Sequence, residues 1–509
     1  MLTCLASDMA ATMEKGRDVA AHSNKNNDKL PNIVSSASKP PRHSGPYAAS
    51  HHIRKIVACA LVAVLMFVGT AAALVWVNLD SAIQDGKLNF LPQNGESEEI
   101  LDPNAGKPIT FLLIGQDTRD GNNKALSGGT ADEEGIHNSD TAMVVQISAR
   151  RDYVNIVSIP RDSLVDVPSC HTSKGTIPAQ YGVMFNSVFS TAYREGGNLA
   201  SAASCTVNAV NSLTGLHIHN FVVVDFQGLF DMIDAIGGVD VCVPVDTKDT
   251  YTELDLKKGW RHLDGLQATE YARMRHGTGT DGSDIMRTTR QQYLIKSLFK
   301  EVTKKNLLTQ SNELYQLAMT AIRSLNFSSG MARTSSLIGL AWSLRDLQID
   351  HIYSQTIPVV AAPYNPNRVV WAEPAADDVW KKFRNDEPLF GTVQKDDSKS
   401  DDSNNSTSSP SPSDTPSTGD TPDATDAPDL SDDGSPSAEP SPTGTLDQVS
   451  GLLIMPDGTM VDPDTNGIVD PETAAIRDPE TNQYVGLANK YLDNVICGVP
   501  TEGKTESKQ

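Results

Sequence analysis

Two aspartates lie at the boundaries of strands that the sequence predicts. Asp117 lies three residues after one apolar run, and Asp140 directly precedes the next one along the chain. Mg²⁺ is commonly bound through one or two carboxylates together with substrate phosphates, and Mn²⁺ accepts the same oxygen ligands. These positions therefore predict a divalent cation, Mg²⁺ or Mn²⁺, at Asp117 and Asp140.

The basic residues at such boundaries are arginines rather than lysines. A guanidinium grips phosphate oxygens through paired N–H donors and stays charged. Arg287, Arg290 and Gln291 stand at i, i+3 and i+4 after Asp284, so they share a helix face near its positive N-terminal end. A single exposed arginine usually belongs to a solvated face, but six at element boundaries predict a phosphate site. The six are Arg119, Arg161, Arg273, Arg275, Arg287 and Arg290.

The elements that must position these residues alternate between strands and helices. Apolar runs of strand length occur at 109–114, 141–147, 154–159, 221–224 and 239–243. Helical patterns cover 185–194, 202–213, 226–236, 268–275, 285–304 and 314–323. This alternation predicts a three-layer α/β/α domain with a central mixed sheet. Ligands of such folds collect at the carboxyl ends of strands.

Charge and hydropathy predict the cellular location of the chain. The net charge of −22 over 509 residues argues against nonspecific binding of nucleic acid, which needs a basic surface. The uncharged apolar segment 56–77 is about long enough to cross a bilayer as a helix. Basic residues precede it and acidic residues follow it, so residues 1–55 are predicted to be cytoplasmic and the rest extracytoplasmic. The alternative is a cleaved signal peptide, whose apolar region is typically shorter, about 7 to 15 residues.

Cysteine usage agrees with an oxidising compartment. Cys170, Cys205, Cys242 and Cys497 lie beyond the apolar segment, an even number that is compatible with disulfides. Proximity in sequence favours the pairing of Cys170 with Cys205, which leaves Cys242 for Cys497. Four buried free thiols are the alternative.

Composition divides the chain into six predicted segments. They are a disordered cytoplasmic tail (1–55), a transmembrane helix (56–77), a linker (78–107), a catalytic domain (108–390), a disordered Ser/Pro/Asp-rich linker (391–445) and a small C-terminal segment (446–509). In the last segment an Asp-Pro pair recurs every eight residues, at 462, 470 and 478. This pattern predicts turns between short extended pieces, with a calcium site as the alternative.

Six motifs together resemble those of the LytR-CpsA-Psr family of cell-wall polymer ligases. They occupy 114–119, 139–141, 158–162, 237–239, 273–276 and 284–291. The resemblance is close over 108–304 and continues to about residue 390. It implies a single-pass membrane anchor, an extracytoplasmic α/β/α domain, a polyprenyl phosphate held in an apolar tunnel and a divalent cation at the diphosphate. One departure is Asn138, which stands where family members often have arginine.

The resemblance also implies an activity and its residues. The expected reaction transfers an anionic or phosphate-linked glycopolymer from a polyprenyl-diphosphate lipid to peptidoglycan. Asp117 and Asp140 match the metal-associated aspartates of the family. The arginines named above and Gln291 match its phosphate-binding set. Of these, Arg161, Arg273 and Arg275, with Asp284, are assigned to catalysis, whereas Arg119, Arg287, Arg290 and Gln291 are assigned to substrate binding.

Two questions stay open at the level of sequence. The first is the general base, for which Asp284 and Asp162 are the candidates, although either carboxylate could instead orient an arginine. The second is the outcome of binding. A noncatalytic regulatory protein that holds a lipid-linked glycan, or a polyprenyl-diphosphate hydrolase, would need the same arginines.

Overall fold

The computed structural model describes residues 50–93, 100–120, 123, 126, 135, 137–304, 311–391 and 444–498. The predicted cytoplasmic tail up to residue 49 and most of the predicted Ser/Pro/Asp-rich linker lie outside these ranges. The chain divides into two units, residues 1–70 and 71–509. The described part of the first unit is helical throughout, and the second unit contains every strand described below.

The helices are α1 (Ser50–Asp85), α2 (Phe185–Gly196), α3 (Leu199–Thr214), α4 (Phe226–Ile236), α5 (Gly265–Arg273), α6 (Asp284–Lys304), α7 (Ser311–Arg323), α8 (Thr334–Ser343), α9 (Ala375–Arg384) and α10 (Asn489–Tyr491). Within α1, Arg54–Asp85 is long and apolar enough to cross a membrane. The most apolar part of this range is not buried within the protein. The helix begins before the predicted span of 56–77 and ends after it.

The strands are β1 (Lys87–Leu88), β2 (Ile109–Thr118), β3 (His137–Ile147), β4 (Val154–Ile159), β5 (Leu164–Val167), β6 (Cys170–His171), β7 (Thr176–Ile177), β8 (Gln180–Met184), β9 (Asn220–Asp225), β10 (Val239–Val243), β11 (Thr247–Lys248), β12 (Asp255–Leu256), β13 (Gly259–Leu263), β14 (Leu325–Ser328), β15 (Ile352–Thr356), β16 (Val359–Ala362), β17 (Asn365–Trp371), β18 (Thr445–Leu446), β19 (Leu453–Ile454), β20 (Met460–Val461), β21 (Ile468–Val469), β22 (Ala475–Arg477) and β23 (Tyr484–Leu487). Seven of them form the central sheet in the order β1-β14-β9-β2-β3-β4-β15. The β9–β2 and β4–β15 pairs are parallel, whereas β2–β3 and β3–β4 are antiparallel, so the sheet is mixed.

Helices cover both faces of this sheet. On one face Leu112 and Val144 pack with residues of α2, α3 and α9. On the other face Met143 and Val145 pack with α6, α7 and α8. Because successive side chains of a strand point to opposite faces, these apolar strands supply both cores. The predicted three-layer α/β/α architecture is confirmed.

The C-terminal segment forms a compact antiparallel sheet of its own, β18 to β23 in sequential order. At each Asp-Pro turn the aspartate side chain accepts a hydrogen bond from the backbone N–H of a threonine three residues later, as Asp470 does from Thr473 at 3.0 Å. The sheet packs on the α/β domain, where Val469 and Ile476 share a core with β10, α5 and α6. A disulfide joins Cys242 of β10 to Cys497, and a second disulfide joins Cys170 to Cys205. Both predicted pairings are confirmed.

Candidate functional site

The predicted site residues meet at one edge of the central sheet. Strand β2 ends beside the start of β3, where Asp117 lies opposite Asn138. Strand β4 ends beside the same part of β3, since Ile159 lies opposite Ala142. The motifs after β2, before β3 and after β4 therefore converge, and α6 adds its N-terminal turn to them.

A β-bulge sets the direction of Asp140. Thr141 pairs with Gly115 and Ser139 with Gln116, so Asp140 has no residue opposite it. Bulges of this kind re-aim a side chain and are frequent next to active sites. The bulge requires a close approach at Gly115, because a Cβ atom there would lie 2.8 Å from Cβ of Thr141. Gly115, which belongs to the motif at 114–119, is thus needed for the close packing of β2 against β3.

Four charged residues form a closed network at the centre of the site. Nη1 of Arg161 lies 2.9 Å from both carboxylate oxygens of Asp140, and Nη1 of Arg287 donates to Oδ2 at 3.2 Å. Nη2 of Arg287 lies 2.6 Å from Oδ1 of Asp284. Burial alone would raise the pKa of Asp140, but the guanidiniums of Arg287 and Arg161 outweigh burial and lower it. Asp140 is therefore held ionised by two arginines.

Asp284 is the buried support of this network. Its side chain is 7% exposed, and Oδ1 lies 3.5 Å from Nε of Arg161. Its Oδ2 accepts the backbone N–H of Arg161 at 3.3 Å. Burial raises the pKa of this carboxyl, although Arg287 and Arg161 oppose the rise. These contacts fit a residue that orients two arginines.

Asp117 and two further arginines border the network. Nε of Arg119 lies 3.7 Å from Oδ1 of Asp117. Arg273, at the last position of α5, has its guanidinium 4.8 Å from the ring centroid of Phe226 and donates to the carbonyl of Leu126. Burial, followed by the charge of Asp140, raises the pKa of Asp117 in spite of the nearby arginines.

Arg275 lies in the loop after α5, because the helix ends at Arg273 rather than at the predicted residue 275. Its guanidinium has neither a hydrogen-bond nor a salt-bridge partner among the described residues, and its Nε is fully buried. Burial lowers the pKa of Arg275, and the positive charges of Arg161 and Arg287 lower it further. Crowded, partly buried cations of this kind favour an anionic ligand.

The remaining two residues of the α6 motif are engaged with the protein. The guanidinium of Arg290 donates to the carbonyl of Met274, and the side chain is 8% exposed. The Gln291 amide accepts from Oγ1 of Thr141 at 2.9 Å and donates to the carbonyl of Ala272 at 3.1 Å. The face shared by Arg287, Arg290 and Gln291 thus ties α6 to β3 and to the end of α5. The assignment of Arg290 and Gln291 to substrate binding stays a prediction.

The carboxylates fit a divalent cation that also binds phosphate. Oδ1 of Asp117 is fully buried and accepts no hydrogen bond, and a buried oxygen in that condition is costly unless a ligand satisfies it. The described residues contain no group of three or more acidic, histidine or cysteine side chains arranged for a metal ion. Mg²⁺ bound with a phosphate substrate does not need such a group, since one or two carboxylates suffice.

Two further residues that were not predicted from the sequence lie next to the site. Nη1 of Arg368, in β17, lies 3.3 Å from Oδ1 of Asp162, although the two residues are more than 200 positions apart in the sequence. His137 stacks on Tyr193 with ring centroids 3.6 Å apart and lies 3.2 Å from Asp120. Arg368 belongs to no recognisable motif, and only the tertiary fold brings it to Asp162. His137 could have been noticed from its position three residues before Asp140.

The chain is similar to proteins of cell-wall biosynthesis and teichoic acid transfer. The probable cell wall biosynthesis protein LcpB of Corynebacterium glutamicum is 27% identical over 318 residues, which cover 62% of this chain and 69% of LcpB. The polyisoprenyl-teichoic acid–peptidoglycan teichoic acid transferase TagV of Bacillus subtilis is 26% identical over 290 residues, covering 55% of this chain. The match spans 66% of TagV, slightly less than two thirds of that relative.

Solved structures give a weaker likeness. The crystal structure of B. subtilis TagV has a TM-score of 0.41 at 23% identity and covers 55% of this chain and 97% of that one. The structure described as TagT bound to LIIa-WTA has a TM-score of 0.40 at 20% identity, covering 59% and 98%.

The family model described as the LytR_cpsA_psr family matches residues 75–385. This range contains every predicted site residue, from Asp117 to Gln291. It also contains all seven strands of the central sheet. The chain belongs to the LytR-CpsA-Psr family.

Proposed function

We propose that this protein is a membrane-anchored, extracytoplasmic phosphotransferase that moves a glycopolymer from a polyprenyl-diphosphate lipid to peptidoglycan. The observation that carries the proposal is the Arg275 guanidinium, which is partly buried among like charges without a hydrogen-bonding partner among the described residues. A diphosphate supplies the acceptor oxygens that this guanidinium lacks.

The arginines have two roles in this proposal. Arg161 and Arg287 are fixed by Asp140 and Asp284, so their positions are set before the substrate arrives. Preorganised charges cost no reorganisation at the moment of reaction. Arg275 has no such partner, and we assign it to the diphosphate directly. Arg119 and Arg273 border Asp117 and complete the positive side of the site.

Asp117 and Asp140 would hold the divalent cation. When bound, Mg²⁺ or Mn²⁺ neutralises charge on the phosphate oxygens. Asp117 keeps a buried oxygen without a hydrogen bond for this purpose. Asp140 is shared with Arg161 and Arg287, and it therefore links the cation site to the arginines.

The reaction exchanges the phosphoanhydride bond of the diphosphate for a phosphoester bond to the acceptor. A hydroxyl oxygen of the peptidoglycan acceptor forms a bond to the sugar-proximal phosphorus, and the bond from this phosphorus to the bridging oxygen breaks. Polyprenyl phosphate leaves with the bridging oxygen, and the glycan remains joined to the acceptor through one phosphate. The arginines stabilise the charge that gathers on the leaving phosphate.

The hydroxyl proton needs an acceptor, and we assign it to Asp162. This carboxylate is 19% exposed, and its contacts are Nη1 of Arg368 at 3.3 Å and Nε of Arg161 at 3.7 Å. Asp284 is more deeply buried beneath Arg161 and Arg287. Asp284 is therefore proposed as a positioning residue, which differs from its predicted assignment to catalysis.

Two independent features support this function and its location. The curated relative TagV is named as a transferase of teichoic acid to peptidoglycan, and LcpB is named for cell wall biosynthesis. The range Arg54–Asp85 has the length and composition of a membrane span, and two disulfides agree with an extracytoplasmic domain. We propose a single span with the N-terminus in the cytoplasm.

The test is a reconstituted transfer reaction. The full chain in detergent is incubated with a synthetic polyprenyl-diphosphate disaccharide, peptidoglycan fragments and Mg²⁺. Released polyprenyl phosphate and glycan joined to peptidoglycan are measured separately by mass spectrometry. A parallel reaction contains EDTA, and another lacks the acceptor.

Transfer predicts that both products appear together, only with the acceptor and only with the metal ion. Release of polyprenyl phosphate and free glycan phosphate without an acceptor would instead identify a hydrolase. Binding of the donor with no product under any of these conditions would identify a noncatalytic protein. Either of the latter two results overturns the proposed transfer.

A further inference from the structure

Helix α8 (Thr334–Ser343) lies next to the end of the apolar part of α1. Oγ1 of Thr334 donates to Oδ1 of Asp80 at 2.9 Å, and Nε2 of Gln84 donates to the carbonyl of Ala332 at 3.2 Å. From Ala332 to Thr334 the chain therefore passes from the level of Gln84 to that of Asp80. Four helical residues correspond to about 6 Å, so Thr334, the first residue of α8, lies nearer to the apolar segment than Ala332 does.

The distance to that segment is short. Asp80 follows Val77, the last residue of the apolar run, by three positions, or about 4.5 Å along a helix. The polar headgroup layer on each side of a bilayer is about 5 to 7 Å thick, the difference between the full thickness and the hydrocarbon core. The start of α8 thus falls within the headgroup layer of a membrane crossed by α1.

Helix α8 is apolar on both of its sides. Leu337 and Leu340 face the core that is shared with the central sheet. On the opposite side Ile338 is 49% exposed and Trp342 is 63% exposed. These two residues stand at i and i+4, so they share one face of the helix. Exposed large apolar side chains on the face of a helix that is turned away from the core indicate a second contact surface.

The polar rim of this face is also typical of a membrane interface. Cζ of Arg345 lies 4.5 Å from the ring centroid of Trp342, and Nη1 of Arg345 donates to the carbonyl of Trp342 at 3.1 Å. Tryptophan is enriched at the boundary between headgroups and hydrocarbon. A long basic side chain beside it reaches the headgroups while its stem covers apolar surface.

We propose that the exposed face of α8, formed by Ile338 and Trp342, lies in the outer interface of the bilayer. The contact fixes the height and tilt of the α/β domain above the membrane, beyond what a single-span anchor provides. The inference rests on the anchoring that is part of the proposed function and does not depend on the reaction. The bilayer is preferred to a protein partner because α8 begins at the level of Asp80, where lipid is already present.

The test measures the surroundings of α8 in the full chain. A nitroxide label is attached at Ile338→Cys or, as a second position, Trp342→Cys, in a background in which Cys4 and Cys59 are replaced by serine. The protein is reconstituted into vesicles of phosphatidylcholine and phosphatidylglycerol. Power saturation compares collisions of the label with oxygen, which concentrates in lipid, and with a water-soluble nickel chelate.

Two control labels frame the result. Tyr364→Cys reports a fully exposed position on the same α/β domain, since Tyr364 is 100% exposed. Val75→Cys reports the apolar segment itself. We expect the ratio of oxygen to nickel collisions at 338 and 342 to be several-fold higher than at 364 and to approach the value at 75.

Each other outcome contradicts the inference in a distinguishable way. A ratio at both α8 positions equal to that at 364 would show that the helix faces water. Low collision rates with both reagents would show that protein covers it. If the label at 75 also behaves as in water, the membrane anchor itself is wrong, and the inference is overturned together with that part of the proposed function.

Discussion

Nη1 of Arg161 lies 2.9 Å from each of the two carboxylate oxygens of Asp140, and Arg287 donates to one of the same oxygens at 3.2 Å. One carboxylate therefore holds two guanidiniums in place. Since Asp140 lies in a bulge of β3 and Arg161 follows β4, this contact joins two strand ends. The three residues act as one unit, and their substitution effects should not be additive.

Removal of Asp140 should destabilise the protein. Asp140→Ala leaves Arg161 and Arg287 as uncompensated neighbouring charges, and breaking a buried ion pair typically costs about 3 to 5 kcal/mol. We expect a clear fall in the thermal unfolding midpoint of the detergent-solubilised chain. The matched control is Asp377→Ala, which removes an exposed ion pair with Arg384 at 2.8 Å and should cost under about 1 kcal/mol. Equal midpoints for the two variants would show that the network adds no stability.

Unlike the charge of Asp140, the charge of Asp117 should destabilise the folded protein at neutral pH. Burial, followed by the charge of Asp140, raises its pKa above the ordinary value of 3.8. The folded protein thus binds this proton more tightly than the unfolded chain does. The group favours folding below pH 3.8, and this contribution is lost as the pH rises through the folded-state pKa.

Asp117→Asn should therefore raise the unfolding midpoint at pH 7, by an amount that corresponds to about 0.5 to 2 kcal/mol, while transfer activity falls. The gain should shrink as the pH approaches 3.8. Thermal unfolding of both proteins between pH 4 and pH 7 checks this. Asp346→Asn is the control, because that side chain is 80% exposed. A midpoint for Asp117→Asn that is lower than wild type at pH 7 would contradict the argument.

Much of the architecture is predictable from the sequence because the buried strands and helices carry strong periodicity. The strand at 154–159 and the helix at 226–236 were predicted with the bounds that the structure has. Strand β10 at 239–243 was also predicted, but it pairs with β13 outside the central sheet. A mainly apolar run of five residues does not specify its partner, which depends on contacts between distant segments.

The candidate site, too, is predictable from the sequence only in part. The sequence locates Asp140, Arg161, Asp284 and Arg287, and the structure joins them in one network. Arg290 shares their helix face, yet its guanidinium turns to a backbone carbonyl beyond α5. Helical spacing fixes the side of α6 on which a residue lies, whereas the loop that follows α5 determines what that residue contacts.

Arg275 should bind the donor directly. Arg275→Ala removes a charge-assisted hydrogen bond worth about 1.5 to 3 kcal/mol, or roughly ten- to hundredfold in kcat/KM. Arg275→Lys should restore activity only in part, because an ammonium keeps the charge and loses the planar fork. Turnover of the polyprenyl-diphosphate donor is the measurement, with Arg323→Ala as an exposed arginine control on α7. If Arg275→Ala and Arg323→Ala have the same kcat/KM, Arg275 does not contact the donor.

Substitutions of Asp162 and of Asp284 should affect different properties of the protein. Loss of a general base typically lowers the rate by about 10² to 10⁴, so Asp162→Asn should lower kcat by that factor while its thermal unfolding midpoint stays near that of wild type. Asp284→Asn should lower the thermal unfolding midpoint, because the role of Asp284 is to orient Arg161 and Arg287. A wild-type kcat for Asp162→Asn, together with a loss of about 10²-fold or more for Asp284→Asn at an unchanged midpoint, would reverse the two assignments.

The C-terminal sheet should support the site through α6. Tyr484 of β23 is buried beside Ile285, and Tyr293 donates to Oδ1 of Asp493 at 2.6 Å. The Cys242–Cys497 disulfide closes a loop with a sequence separation of 255, and a disulfide typically contributes about 2 to 4 kcal/mol. Cys497→Ser should therefore lower the unfolding midpoint.

The same substitution should weaken donor turnover, because the arginines of α6 lose part of their support. Adding Tyr293→Phe should lower stability further, since Asp493 then loses its hydrogen bond. Cys59→Ser is the matched control, as Cys59 is an exposed free cysteine and its removal should change neither quantity. Wild-type midpoint and turnover in Cys497→Ser would mean that packing alone holds the C-terminal sheet on α6. A lower midpoint with unchanged turnover would confine the role of the disulfide to stability, with the arginines held from within the α/β domain.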